Sequence, residues 1–137
     1  MGKRRKSREI VVKLLYHKDI NDASTKEILD RFWEKDPAGE DVMRFVEDVF
    51  LGVIAKGEEL DENIKKYSKN WDINRLSIID KCILRLSIYE ILYRPDIPHN
   101  VSINEAIDIA KKYSNLDSGK FINGILDRVS KENAASQ

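Results

Sequence analysis

Ile78-Ile79-Asp80-Lys81-Cys82-Ile83-Leu84-Arg85-Leu86-Ser87-Ile88-Tyr89-Glu90-Ile91-Leu92-Tyr93 is the most apolar stretch of the sequence and holds neither glycine nor proline. On a helical wheel, Ile78, Ile79, Cys82, Ile83, Leu86, Tyr89 and Tyr93 cover one wide arc, and Leu84, Ile88, Ile91 and Leu92 fill much of the other side. A helix that is apolar nearly all round is enclosed by neighbours on several sides, so this segment predicts the central helix of an all-α protein. Arg94-Pro95-Asp96-Ile97-Pro98 ends it, because proline cannot continue a helix and restricts the residue before it. Glu90 projects toward the apolar arc and predicts a buried carboxylate held by a partner or by backbone donors. Cys82 lies within the same arc and reads as a small core residue.

Working outward toward the C-terminus, Ser102 with Glu105 has the spacing of a capping box and opens a helix whose core face is Ile103, Ala106, Ile107, Ala110 and Tyr113. Asp117 or Ser118 then caps a last helix carrying Ile122, Ile125, Leu126 and Val129. Toward the N-terminus the apolar pattern lapses between Ser68 and Asn74 apart from Trp71 and Ile73. This marks a boundary between two subdomains of one domain spanning 1–137, the first about 1–70 and the second about 71–137. Before it, Leu60, Ile64 and Tyr67 follow a break at Gly57, and Val42, Phe45, Val46, Val49, Phe50 and Val53 form a regular helical stripe. Asp36-Pro37-Ala38-Gly39 separates that stripe from a helix capped by Ser24 and Glu27 that buries Ile28, Leu29, Phe32 and Trp33. The first helix runs from near Arg4 or Ser7 to Lys18, with Ile10, Val11, Leu14 and Leu15 inward and Asn21-Asp22-Ala23 as its end. The expectation is about seven helices in two small bundles.

The chain has 137 residues, a length at which one domain buries roughly two-thirds of its unfolded surface. The sole cysteine excludes an internal disulfide and suggests a reducing compartment. The longest run without a charged residue is eight, from Ile97 to Asn104, far short of the roughly 20 that span a bilayer. Lys13 interrupts the apolar start and no small-residue cleavage site follows, so a cytoplasmic location is expected. Formal net charge is zero, from 24 basic and 24 acidic residues. The sum conceals Lys3, Arg4, Arg5, Lys6 and Arg8 within residues 1–8, leaving 19 basic against 24 acidic residues over the rest. Such a cluster fits phosphate contact as well as a solvated tail.

Catalytic chemistry finds little support. His17 and His99 have no Cys or second His at ligand spacing, and Ser118-Gly119-Lys120 lacks the earlier glycine and the following Ser or Thr of a phosphate loop. No metal, cofactor or catalytic residue is expected. The first helix is more informative. Stepping about 100° per residue from Arg5 centres the core face near −150° and places Tyr16 at about 20°. Arg5, Arg8, Val12 and Tyr16 are therefore expected along one outward surface, a combination suited to single-stranded nucleic acid, where arginine meets phosphates and aromatic rings stack on bases. Packing of Tyr16 on a loop or on the second bundle is the alternative. Phe121 poses the same question, since it stands roughly 80° from the centre of its helix's core stripe.

Arg4-Arg5 through Leu14-Leu15-Tyr16, Leu60-Asp61, Arg75-Leu76 through Ile83-Leu84-Arg85-Leu86, Tyr89-Glu90, Asp96-Ile97-Pro98, Ile103-Asn104-Glu105-Ala106-Ile107, Ala110-Lys111 and Lys120-Phe121-Ile122-Asn123-Gly124-Ile125-Leu126-Asp127 occur in an order and spacing that resembles the NusB family of bacterial transcription antitermination factors. The resemblance covers essentially the whole chain. It implies an all-helical, two-subdomain factor without catalysis that binds boxA RNA with the ribosomal protein serving as NusE. That pair promotes ribosomal RNA transcription within the antitermination complex on RNA polymerase. It further implies RNA contact by Lys3, Arg4, Arg5, Arg8, Tyr16, Lys120 and Phe121, and partner contact around Asp80, Arg85 and Asp117. Both monomers and homodimers occur in such a family. Four or five cationic contacts would give a log–log salt slope of about −3, and Arg5→Ala with Arg8→Ala is expected to weaken RNA binding with helicity intact. The remaining class is a helical protein-interaction adapter with a basic tail.

Overall fold

The computed structural model describes residues 2–68 and 76–134, apart from the side chain of Leu116. Among these residues there are seven helices and no strand: α1 (Lys3–Ile20), α2 (Thr25–Lys35), α3 (Glu40–Ala55), α4 (Gly57–Tyr67), α5 (Ile78–Tyr93), α6 (His99–Tyr113) and α7 (Leu116–Glu132). The all-α expectation holds. The boundary expected between Ser68 and Asn74, with Trp71 and Ile73 inside it, falls almost wholly outside the described residues.

α5 packs against α1, α3, α4, α6 and α7, as its all-round apolar character requires. Cys82, Ile83, Leu84 and Ile88 are fully buried although they point in different directions around the helix. Ser77 caps it, accepting from the Asp80 backbone N–H at 3.0 Å. Val46, Val49 and Phe50 of α3 are likewise fully enclosed. Gly52 lets α3 approach α5 closely, because a methyl group there would overlap the ring and hydroxyl of Tyr89. The Cys82 thiol is raised to about 12, chiefly by burial, which fits a core role.

Ser24 caps α2 through the Glu27 N–H. Phe32 and Trp33 are only half-buried, and the Trp33 indole N–H donates to Glu47 on α3 at 2.9 Å. Two start signals are displaced. α6 begins at His99, immediately after Pro98, so Ser102 sits one turn inside the helix and donates instead to Glu90 at 2.7 Å. α7 is capped by Asn115, which accepts from the Ser118 N–H at 2.9 Å, and not by Asp117 or Ser118.

Candidate nucleic-acid interface

α1 is the element that carries the basic cluster, and it is buried on more than one side. Ser7 through Val12 form an unbroken buried run, because α3 packs against one flank and α5 against another. This corrects the outward placement of Arg8 and Val12, which are 3% exposed each. Arg8 Nε donates to Glu90 Oε2 at 2.7 Å and its Nη2 to Glu90 Oε1 at 3.0 Å. The Ser102 hydroxyl supplies a further bond to that carboxylate, so the buried Glu90 expected from the sequence has both partners identified. Arg8 also reaches Glu105 at 3.3 Å.

Arg5, a turn earlier, is half-buried. Its Nε donates to Glu105 Oε2 at 2.8 Å, and its Nη2 bonds to Glu105 and to Asp108 Oδ2, the latter at 2.8 Å. The hydrogen bond from Arg5 holds the Glu105 carboxyl below its ordinary range. Arg5 and Arg8 thus fasten α1 to α5 and α6. A double Arg5→Ala, Arg8→Ala change would remove that fastening, so it cannot isolate RNA contact.

The cations that remain outward are Lys3, Arg4 and Lys6. Lys3 has a 3.7 Å ion pair with Asp41, both side chains being largely exposed, a geometry worth ~0–1 kcal/mol. The Arg4 guanidinium lies 4.2 Å above the Phe45 ring, and that of Arg94 lies 5.2 Å from the same centroid. Together with Arg44 and Asp48 these side chains line an open cleft of about 660 Å³ between the starts of α1 and α3. The sequence reading missed Phe45, Arg44 and Arg94 as parts of this surface. Phe45 reads only as a core residue from its spacing, and Arg94 only as a helix end.

Tyr16 is half-buried and borders a small, mainly apolar pocket of about 140 Å³ with Val12, Ile79 and Tyr113. The same pocket is bordered by Glu9 and Lys13. Next to Ile79, Asp80 accepts from the Ser118 hydroxyl of α7 at 2.8 Å, so Tyr16 and the start of α7 both abut the N-terminal end of α5. There Lys120 and Asp117 are exposed and Phe121 is half-buried against the core.

The three residues carried over to a partner surface differ in placement. Asp117 is exposed. Asp80 is buried, its Oδ1 enclosed without a hydrogen bond, and Arg85 is paired to Asp61 at 2.8 Å and to Asp19 at 3.3 Å. Asp80 and Arg85 therefore do not project as free contacts; they hold α5 to its neighbours. Among the described residues no cluster of His, Cys, Asp and Glu is arranged to hold a metal ion, and no helix is long and apolar enough to cross a membrane.

Among the described residues, a buried central helix packed by five of the other six, with a basic first helix tied by arginine–carboxylate pairs to it and to α6, makes an all-helical domain of the antitermination-factor class. The sequence pattern of the NusB family matches residues 5–131, and the chain belongs to that family. It is 46% identical to the transcription antitermination protein NusB of Thermodesulfovibrio yellowstonii, over 95% of this chain and 93% of that protein. The solved NusB of T. maritima superposes with a TM-score of 0.87 at 37% identity, covering 96% of this chain and 92% of the other. A NusB chain from a crystal structure of antitermination factors NusB and NusE with double-stranded RNA gives 0.86 at 25% identity, covering 96% and 98%.

Proposed function

We propose that the chain is a transcription antitermination factor that binds boxA-type single-stranded RNA with the ribosomal protein acting as NusE, in the cytoplasm, and promotes ribosomal RNA transcription on RNA polymerase. The observation that carries this reading is the family match along residues 5–131. The exposed Lys3, Arg4 and Lys6 at the start of α1 supply the phosphate-facing charge that such a role needs. Tyr16, Lys120, Phe121 and the outer edge of Arg5 complete the RNA surface, and Asp117 faces the partner. Arg8, Asp80 and Arg85 serve by holding the helices that present these groups. The role requires no catalytic step and no cofactor, and it treats residues 1–70 and 71–137 as two subdomains of one RNA-binding domain.

The deciding experiment titrates labelled boxA RNA and a scrambled RNA with the full chain, with and without the ribosomal partner. Preference for boxA that grows with the partner is the expected outcome. Equal, weak binding of both RNAs would favour a protein-interaction adapter. Light scattering at the working concentration accompanies the titration, since a second copy covering α1 would compete with RNA.

A further inference from the structure

A groove between α1 and α2 lies at the far end of the first helix from its basic head, with His17 about 20 Å further along α1 than Arg4. Its volume is about 420 Å³, within the several hundred Å³ typical of a binding cleft. Leu14 and Ile28, both buried, and the half-buried Phe32 form its apolar lining. The exposed side chains of Arg31 and Lys35 on α2 and of His17 on α1 border it. Asp22, in the turn joining the two helices, is the sole acid on it among the described residues. Lys18 Nζ donates to the Ala23 carbonyl at 3.1 Å across that turn, so this end of the groove is held without a ligand. The fold makes little use of the two α2 cations. Arg31 has a 3.7 Å pair with Glu27 in which both side chains are largely exposed, a geometry that contributes little, and Lys35 has no ion pair among the described residues. By helical spacing Asp30 and Glu34 fall on the side of α2 away from Ile28, so the groove edge is positive although the helix carries both signs.

We infer that this groove docks an acidic amphipathic helix of a partner protein. Apolar side chains of that helix, at i, i+3 or i+4 and i+7, fill the space over Leu14, Ile28 and Phe32. Two of its carboxylates one turn apart meet Arg31 and Lys35, which are themselves one turn apart on α2. Charge selects the sign of the partner and the lining selects its class. Single-stranded RNA relies on flat aromatic platforms for stacking, whereas this lining is mainly aliphatic and its one ring is already in T-shaped contact with Trp33, centroids 5.2 Å apart. The distance from the start of α1 leaves the groove and the basic head able to be occupied together.

The test uses the full chain and a fluorescein-labelled helical peptide with leucines at i, i+3, i+4 and i+7 flanked by glutamates. Two controls carry lysine for each glutamate or serine for each leucine. Saturable binding of the acidic peptide alone is expected, weakening with added salt, with backbone amide NMR shifts concentrated in residues 14–35. Arg31→Glu with Lys35→Glu reverses the exposed edge and is expected to weaken that binding by roughly tenfold or more, with the melting curve and RNA affinity close to wild type. No saturable binding, equal binding of the lysine or serine peptide, shifts centred elsewhere, or an undiminished affinity in the double variant overturns the inference. Displacement of the peptide by scrambled single-stranded RNA also overturns it, since the groove would then be an extension of the RNA surface.

Discussion

The seam of α1 with α5 and α6 and the α1–α3 cleft draw on one run of basic residues and use it in opposite ways. In the seam, Arg5 and Arg8 face Glu90, Glu105 and Asp108 at hydrogen-bonding distance. In the cleft, Lys3 and Arg4 face water, a phenyl ring and one loosely paired aspartate. The difference teaches that local charge density does not separate cations that bind a ligand from cations that hold the fold. What separates them is whether the carboxylate brought opposite lies at hydrogen-bonding distance and shielded from water with its cation.

The strongest way to break this contrast is to remove a seam arginine. Arg8→Ala leaves Glu90 buried without its counter-charge, and urea or thermal denaturation should register a loss of ~3–5 kcal/mol. A variant that unfolds like wild type would return Arg8 to the ligand-facing group. Arg5→Ala, from a half-buried site, should cost about 1.5–3 kcal/mol in the same measurement, the range for hydrogen bonds to charged groups.

Acid sharpens the contrast by acting on the carboxylates of the seam. Because Glu105, held down first by Arg5, and Glu9 both titrate below the ordinary carboxylate value of 4.5 when folded, their contribution is complete above that value. It is lost as pH falls through the folded-state values, since the unfolded chain takes up protons first. Glu105→Gln should therefore show a shallower stability loss between neutral and acid pH than wild type. On the cleft side, Lys3→Ala with Arg4→Ala should change stability by less than about 1 kcal/mol. The same pair should flatten the log–log salt dependence of RNA binding by about 1.4, from roughly 0.7 per phosphate contact. An unchanged slope would take the cleft out of the RNA surface. The smallest effect is Asp41→Ala, which removes the exposed pair with Lys3 and one of two acidic side chains in the first turn of α3 and should lower stability by only about 0.5 kcal/mol in a melting curve.

The sequence made the helices and their inner stripes legible, because apolar spacing and caps are local. The central position of α5 and the burial of Glu90 also followed from pattern. The outward face of α1 did not. The wheel assumes one core-facing side, and α1 has neighbours on two flanks, so Arg8 and Val12 lie inside although they stand near Tyr16 on the wheel. The partner of Arg8 is 82 positions away, a separation that no spacing rule addresses. Ser102 shows the same limit: its spacing to Glu105 fits a cap, yet Pro98 starts the helix earlier and frees the hydroxyl for Glu90.

The arginine clamp also fixes an order of events during synthesis. Glu90, Glu105 and Asp108 are made long after Arg5 and Arg8, so the Arg8–Glu90 pair waits for α5 to emerge and the Arg5–Glu105 pair for α6. Joining ends that far apart closes a long loop, the slow kind of contact in folding. Until then the basic head of the nascent chain carries two guanidinium charges that the finished protein sets against Glu90, Glu105 and Asp108.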